Sequence, residues 1–220
     1  TESEILSGLV GSEMCIRDSY CLMYDYSTDN LNLIMESRII AIGGNGVNYV
    51  EVGNDKPLVF IGGPCAIESE KHTMFMAEKI AEICSDLCIN WIFKSCYDKD
   101  CRSSKDSFHG VGILDGLKIL TKVRDEFKIP IVSDFYESTW AHQTGEVCDL
   151  VQIPAYLCRQ TSILKAAALT RKPIHLKKGQ FMSPWNMKNS VRKLESFGCN
   201  KVILTDRGTF FAVSYTHLRA

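Results

Sequence analysis

The chain has 220 residues and a formal net charge of −1, from 25 Lys and Arg against 26 Asp and Glu. That balance excludes the broad basic field of a nucleic-acid-binding domain, and no apolar run approaches the ~18 residues of a membrane-spanning helix. At 45% hydrophobic and 23% charged residues, the chain can bury one large core or two small ones, and a cytoplasmic location is expected.

Thr1 to Ser19 has neither a helical nor a strand period and reads as an assembly scar or disordered tail, as does the 212–220 segment "AVSYTHLRA". Between them, 38–211 reads as one domain. It opens with two short strands, "RIIAIG" and "NYVEVG", joined by the Gly/Asn turn "GNGV" of a hairpin. Six apolar strand-like runs follow: "PLVFIGG", "NWIFKS", "IPIVSD", "DLVQIP", "KPIHLKK" and "NKVILTD".

Helical patterns separate several of them. Ser69 is a fitting N-cap for "EKHTMFMAEKIAEICSDL", which places Cys84 and Cys88 four apart on one helix. "ILDGLKILTKVRDEF" and "SILKAAALT" have the same period, and "PWNMKNSVRKLESFG" opens at Pro184 and closes at Gly198. Alternating strands and helices predict a parallel sheet of βα units, and strands apolar on both faces fit burial on both sides. An open doubly wound sheet and a (β/α) barrel both satisfy the pattern. The first run is not followed by GxGxxG, and a hairpin ahead of it suits a plug under a barrel floor. The expected fold is a (β/α) TIM-type barrel with an N-terminal hairpin.

In such a barrel the functional face is the C-terminal end of the strands. There the runs end in Cys65, Lys94, Asp134, Gln152, Lys177 and Arg207. Lys94, Lys99, Arg102, Lys177, Lys178 and Arg207 crowd positive charge at one mouth and imply an anionic ligand. The segment from Lys94 to Gly110, "KSCYDKDCRSSKDSFHG", holds 4 cationic side chains, 3 acids, 4 Ser and 2 Cys. No part of it is expected to enter a core, and Arg102 with Ser103 and Ser104 makes it best read as a phosphate cradle. The 10 Cys include no CxxC pair and no Cys/His cluster at zinc-finger spacing. They are expected to be reduced, small apolar residues, Cys65 excepted.

In order along the chain, "GPCAIES", "FKSCYDKDCRSS", "QIPAYLCRQT", "KKGQFMSPWNMKN" and "LTDRGTFF" resemble the 3-deoxy-D-manno-octulosonate 8-phosphate (KDO 8-phosphate) synthases. The resemblance implies condensation of phosphoenolpyruvate with arabinose 5-phosphate and release of phosphate, on the way to lipopolysaccharide or a plant wall polysaccharide. It implies that Lys99, Lys177 and Arg207 hold phosphoenolpyruvate, with Lys94, Gln152 and Ala155 lining its pocket. Arg102 and Ser103 would clamp the sugar phosphate, Arg159 would be lent to that clamp by a neighbour in a homotetramer, and Asp134 would lie near the sugar hydroxyls. Cys65 would be a ligand to a divalent metal ion, as in the metal-dependent branch of the family.

Three positions depart from the family's pattern: Cys101 stands where Asn is usual, Tyr136 where His is usual, and His175 where Asn is usual. The predicted strands number six against the eight of a closed barrel. The remaining metal ligands of the family, on its last two strands, have no counterpart here, so a partial barrel without turnover is expected. Two alternatives stay open. One is a heptulosonate 7-phosphate synthase-like enzyme or another phosphate-binding aldolase with a Schiff-base Lys. The other is a non-catalytic phosphate-binding fragment.

Overall fold

The computed structural model describes residues 39–44 and 46–210. The expected tail segments at 1–19 and 212–220, and Asn45 of the hairpin turn, lie outside the described residues.

Strands β1 (Ile40–Gly44) and β2 (Val47–Val52) pair antiparallel as the expected hairpin, with a bulge between Ile42 and Gly44. Six parallel strands follow: β3 (Val59–Gly62), β4 (Asn90–Lys94), β5 (Ile131–Asp134), β6 (Leu150–Ile153), β7 (Ile174–Lys177) and β8 (Val202–Thr205). They form one sheet in the order β3-β4-β5-β6-β7-β8. Every crossover therefore steps one strand in the same direction. A doubly wound sheet would reverse at a switch point, so the order selects the barrel type of winding, as expected. Among the described residues, β3 and β8 are the sheet's two edges.

Helices α1 (Glu70–Asp86), α2 (Ile113–Phe127), α3 (Ala141–Val147), α4 (Thr161–Leu169) and α5 (Met187–Ser196) connect successive strands and pack as consecutive neighbours. Ser69 caps α1 as expected, its hydroxyl accepting from the His72 amide at 3.2 Å. Cys88 is not on that helix: α1 stops at Asp86, and Cys88 lies in the left-handed region at φ 53°. The Pro184 segment opens as a 3₁₀ turn over Pro184–Asn186 before α5 begins. The short helix α3 has no counterpart among the helical patterns read from the sequence. Seven residues make barely two turns, too few for a period to show.

Side-chain alternation sorts the strands into two apolar clusters. Phe93, Ile131, Val151, Leu176 and Val202 point outward and pack under the helices. Val59, Ile61, Ile92, Val132, Leu150 and Ile203 point inward, where Ile40, Ile42, Val50 and Val52 of the hairpin meet them. The hairpin thus closes the lower interior, anchored by the Asn48 amide donating to the Lys128 carbonyl at 2.8 Å. No helix among the described residues is long and apolar enough to cross a membrane.

Candidate functional site

The inward parity that puts Val132 and Leu150 in the plugged interior puts Asp134 and Gln152 one layer higher. In the same way His175 and Lys177 face inward on β7, because Ile174 and Leu176 belong to the outer cluster. The polar ends of the strands are therefore consecutive inward positions of one sheet.

The centre of this layer is a buried ion pair. Lys99 Nζ lies 2.9 Å from Asp134 Oδ2, with the two residues 7% and 3% exposed. The second carboxylate oxygen, Oδ1, accepts from Gln152 Nε2. Burial pushes the Asp134 carboxyl up, but the Lys99 and Lys94 charges and the two hydrogen bonds outweigh it and hold the acid well below the carboxylate range. For Lys99, burial works against the charge and the Asp134 carboxylate overrides it, so the ammonium stays charged. Cys65 lies half-buried just beyond the first barrel strand.

Lys99 comes to Asp134 because the loop after β4 is tied down at its base. Ser95 Oγ donates to the Pro64 carbonyl at 2.8 Å, and the Ile67 amide donates to the Cys96 carbonyl at 2.9 Å. Gly63 lets the two loops meet: at φ 155° its Cα faces the Lys94 carbonyl, where any Cβ would collide with backbone. The loop also overturns the expectation that none of it enters a core. Tyr97 is fully buried, its hydroxyl 2.8 Å from Thr144 Oγ1, and Cys96 is buried beside it with its thiol pushed up to about 12, first by burial. An aromatic in a charged loop carries no period, but Gly116 of α2 marks its seat, since a Cβ there would strike the Tyr97 side chain. Beyond Lys99 the loop runs exposed from Asp100 to Asp106, with Arg102 and Ser103 at its tip.

On the other side of the mouth, burial and then the Arg207 charge push the Lys177 ammonium down to about 7. Lys177 is 5% exposed, whereas Arg207 is open to solvent. Lys178 does not share this role. Its Nζ donates to the carbonyls of Gly179, Met182 and Gly208 and to Thr209 Oγ1, at 2.7 to 3.3 Å, and pairs with Asp206 at 3.3 Å. It is a clamp between the loops after β7 and β8, not a cation offered to a ligand. The sequence does not distinguish it from Lys177, because a second Lys after a strand carries no sign of which way it turns.

Ala155 is buried just past β6, and Arg159 is exposed four residues on, its carbonyl accepting from Lys193 Nζ at 3.0 Å. Of the sequence-predicted site residues, the structure groups Lys94, Lys99, Asp134, Gln152 and Lys177 at the inward ends of β4 to β7. Arg102, Ser103, Arg159 and Arg207 stand outside this buried layer on exposed loops.

The departures also find places. Tyr136 stacks on Tyr156, ring centroids 6.1 Å apart, and its hydroxyl meets the thiols of Cys101 at 3.8 Å and Cys96 at 3.9 Å. Tyr156, unassigned from the sequence, thereby joins the rim. His175 is buried under the mouth, its Nε2 hydrogen-bonded to Thr205 Oγ1 and its ring held neutral at about 4, first by burial and then by the Lys94 charge.

Among the described residues no group of three or more His, Cys, Asp and Glu side chains could hold a metal ion, and Cys65 has no such companions. The other thiols follow the expectation in part: Cys84, Cys96, Cys148, Cys158 and Cys199 are buried and free, while Cys88 and Cys101 are exposed.

Residues 34–219 match the DAHP synthetase I family. Proteins named 2-dehydro-3-deoxyphosphooctonate aldolase are similar to this chain over 165 residues. Those of Rickettsia felis (strain ATCC VR-1525 / URRWXCal2) and Rickettsia conorii (strain ATCC VR-613 / Malish 7) are 48% and 50% identical, over 75% of this chain and 60% of each relative. The chain thus spans about 60% of the length of the curated relatives it matches.

Proposed function

This chain belongs to the DAHP synthetase I family, and on that premise we propose that it carries the substrate-binding layer of a KDO 8-phosphate synthase. The reaction joins the nucleophilic carbon of phosphoenolpyruvate to the aldehyde of arabinose 5-phosphate. Water adds at the adjacent carbon, and the hemiketal phosphate loses inorganic phosphate. The observation that carries the reading is the placing of buried Asp134, Gln152 and Lys177 at the inward C-terminal ends of adjacent parallel strands, with buried Lys99 reaching Asp134 from the loop after β4.

In this reading the phosphoenolpyruvate anion lies between Lys99, Lys177 and Arg207, with Lys94, Gln152 and Ala155 beside it. Its charge offsets the cost of keeping Lys177 protonated in a buried position beside Arg207. Asp134 fixes the Lys99 ammonium and faces the hydroxyls of the sugar. Arg102 and Ser103, on the exposed tip, grip the sugar phosphate, completed by Arg159 from a neighbouring subunit of a homotetramer. Cys65 remains the proposed ligand to a divalent ion. The described residues do not complete that site. A cytoplasmic location accords with small phosphorylated substrates.

Between the two sugar acids, the names of the relatives favour the eight-carbon product. Removing the three carbons of phosphoenolpyruvate leaves a five-carbon aldose phosphate, against a four-carbon one for the heptulosonate alternative. The test is phosphate release by the purified chain, and calorimetric binding where turnover is absent, with phosphoenolpyruvate and each aldose phosphate in turn. Arg102→Ala should weaken the five-carbon sugar phosphate at least tenfold and phosphoenolpyruvate less than threefold, since a lost charge-assisted contact costs about 1.5–3 kcal/mol. Preference for the four-carbon sugar, or equal losses for both substrates, would overturn the assignment.

A further inference from the structure

Directly beneath the cation layer, two polar atoms are buried without a described protein partner: Gln152 Oε1 and His175 Nδ1. They are neighbours. Gln152 of β6 and His175 of β7 are register partners across the parallel ladder, both inward-facing, and 0% and 3% exposed. Buried polar atoms in native proteins are bonded as a rule, so a pair of this kind on one face points to a group that bonds both.

The chemistry of that group follows from what the two side chains have already committed. Gln152 Nε2 donates to Asp134 Oδ1. Turning the amide over would set its oxygen against a carboxylate, so Oε1 is fixed as the atom left over, and it can only accept. His175 Nε2 and Thr205 Oγ1 are hydrogen-bonded with either able to donate, and the ring is neutral near neutral pH. Nδ1 therefore accepts if Nε2 carries the ring proton, and donates if Nε2 instead accepts from the Thr205 hydroxyl. A phosphate or carboxylate oxygen brings no proton for Oε1 and would also face the Asp134 carboxylate. An O–H group serves Oε1 in either tautomer.

We propose that Gln152 and His175 form a hydroxyl-binding subsite under the mouth, which takes a neutral O–H donor, either a water molecule or a hydroxyl of the sugar substrate. The link to the sugar and to the water consumed in the reaction rests on the function proposed above. The subsite itself rests only on the side chains. The two sources differ in proton count. A water molecule can donate to both Oε1 and Nδ1, whereas a sugar hydroxyl has one proton and must accept from an Nδ1–H, with Thr205 donating to Nε2. His175 is then a specificity-determining position, because its Nε2–H tautomer admits only water, whereas its Nδ1–H tautomer serves either source.

Crystals of the full 220-residue chain, grown with and without arabinose 5-phosphate, test this directly. One ordered oxygen within hydrogen-bond distance of both atoms is expected. Its presence without sugar identifies water, and its appearance only with sugar identifies a substrate hydroxyl. Nitrogen-15 NMR of His175 in the same chain should report Nδ1 as hydrogen-bonded, and as protonated where the crystals identify a sugar hydroxyl. The assignment of that resonance is checked by its loss in His175→Asn, which keeps a polar side chain if His175→Leu fails to fold. No oxygen in either crystal, a protein group bonded to either atom, or an anion oxygen at the position would each overturn the proposal. Failure of phosphoenolpyruvate to bind would sink the proposed function instead, and leaves the crystals and the His175 signal to decide the subsite.

Discussion

Lys99 and Asp134 show how a single pair can serve both stability and binding. Two opposite charges this deeply buried are held at a desolvation cost that their attraction and extra hydrogen bonds must cover. Removing one partner strands the other, at about 3–5 kcal/mol. Lys99→Met should lose stability of that order in urea unfolding, and Lys99→Met with Asp134→Asn should recover part of it. The pH dependence follows from the lowered Asp134 carboxyl. The unfolded chain takes up the proton first, near pH ~3.9, so the stabilisation is complete above that value and is lost as pH falls toward the folded carboxyl's own. Lys177 works in the opposite sense. Its ammonium is pushed down to about 7, and an anion bound beside it should raise that value. Phosphoenolpyruvate should therefore bind with proton uptake just above neutrality and more weakly as pH rises through about 7. Calorimetry in two buffers of different ionisation enthalpy reads the uptake, and an identical heat in both would refute it.

At the scale of the element, the loops on the C-terminal side of the sheet are held in unequal ways. The loop after β4 is pinned at its base by Ser95, Cys96 and Tyr97, while its tip, with Arg102 and Ser103, stays exposed. The loops after β7 and β8 are joined to each other by Lys178, which reaches Gly179, Met182, Gly208 and Thr209, and by the Thr209 hydroxyl donating to the Met182 carbonyl at 3.4 Å. Lys178→Met keeps most of the side-chain volume and removes every bond made by the Lys178 ammonium. Backbone amides of 206–209 and 179–182 should then exchange faster, and phosphoenolpyruvate affinity should fall, because Arg207 sits on a loop set free and Lys177 ends the strand that leads into the other. Amides of 101–106 should be unaffected, being tied to the sheet through other groups. Faster exchange throughout the chain would mean that Lys178 supports the fold in general and not this junction.

Over the whole molecule, binding groups and packing groups occupy different heights of the same interior. The hairpin fills the lower layers with Ile40, Ile42, Val50 and Val52, and the polar layer begins where the strands end. Ile42 is 1% exposed, so Ile42→Ala should cost about 2–5 kcal/mol through lost burial and a residual cavity. In the folded variant, the affinity for phosphoenolpyruvate should stay within twofold of the parent, because the site lies at the far end of the strands. A large affinity loss in a folded Ile42→Ala protein would show that floor and mouth are mechanically coupled.

Among the described residues, the sequence by itself determined the hairpin, all six parallel strands and four of the five helices, because each rests on local order: an N-cap at Ser69, a helical period through α2, largely apolar runs in β3 to β8. It also placed Lys94, Asp134, Gln152 and Lys177 at strand ends, since strand direction fixes which end of a run is C-terminal. The length of α3 was too short for any period to declare it. What only the tertiary structure decided is where side chains beyond the strands turn. Tyr97 enters the core because Gly116 leaves it room across the helix layer, and Lys178 turns to five protein groups while its neighbour Lys177 faces inward. The pairing of Gln152 with His175 belongs to the same class. Parity along each strand could be read locally, but the register that sets one beside the other is a property of the sheet.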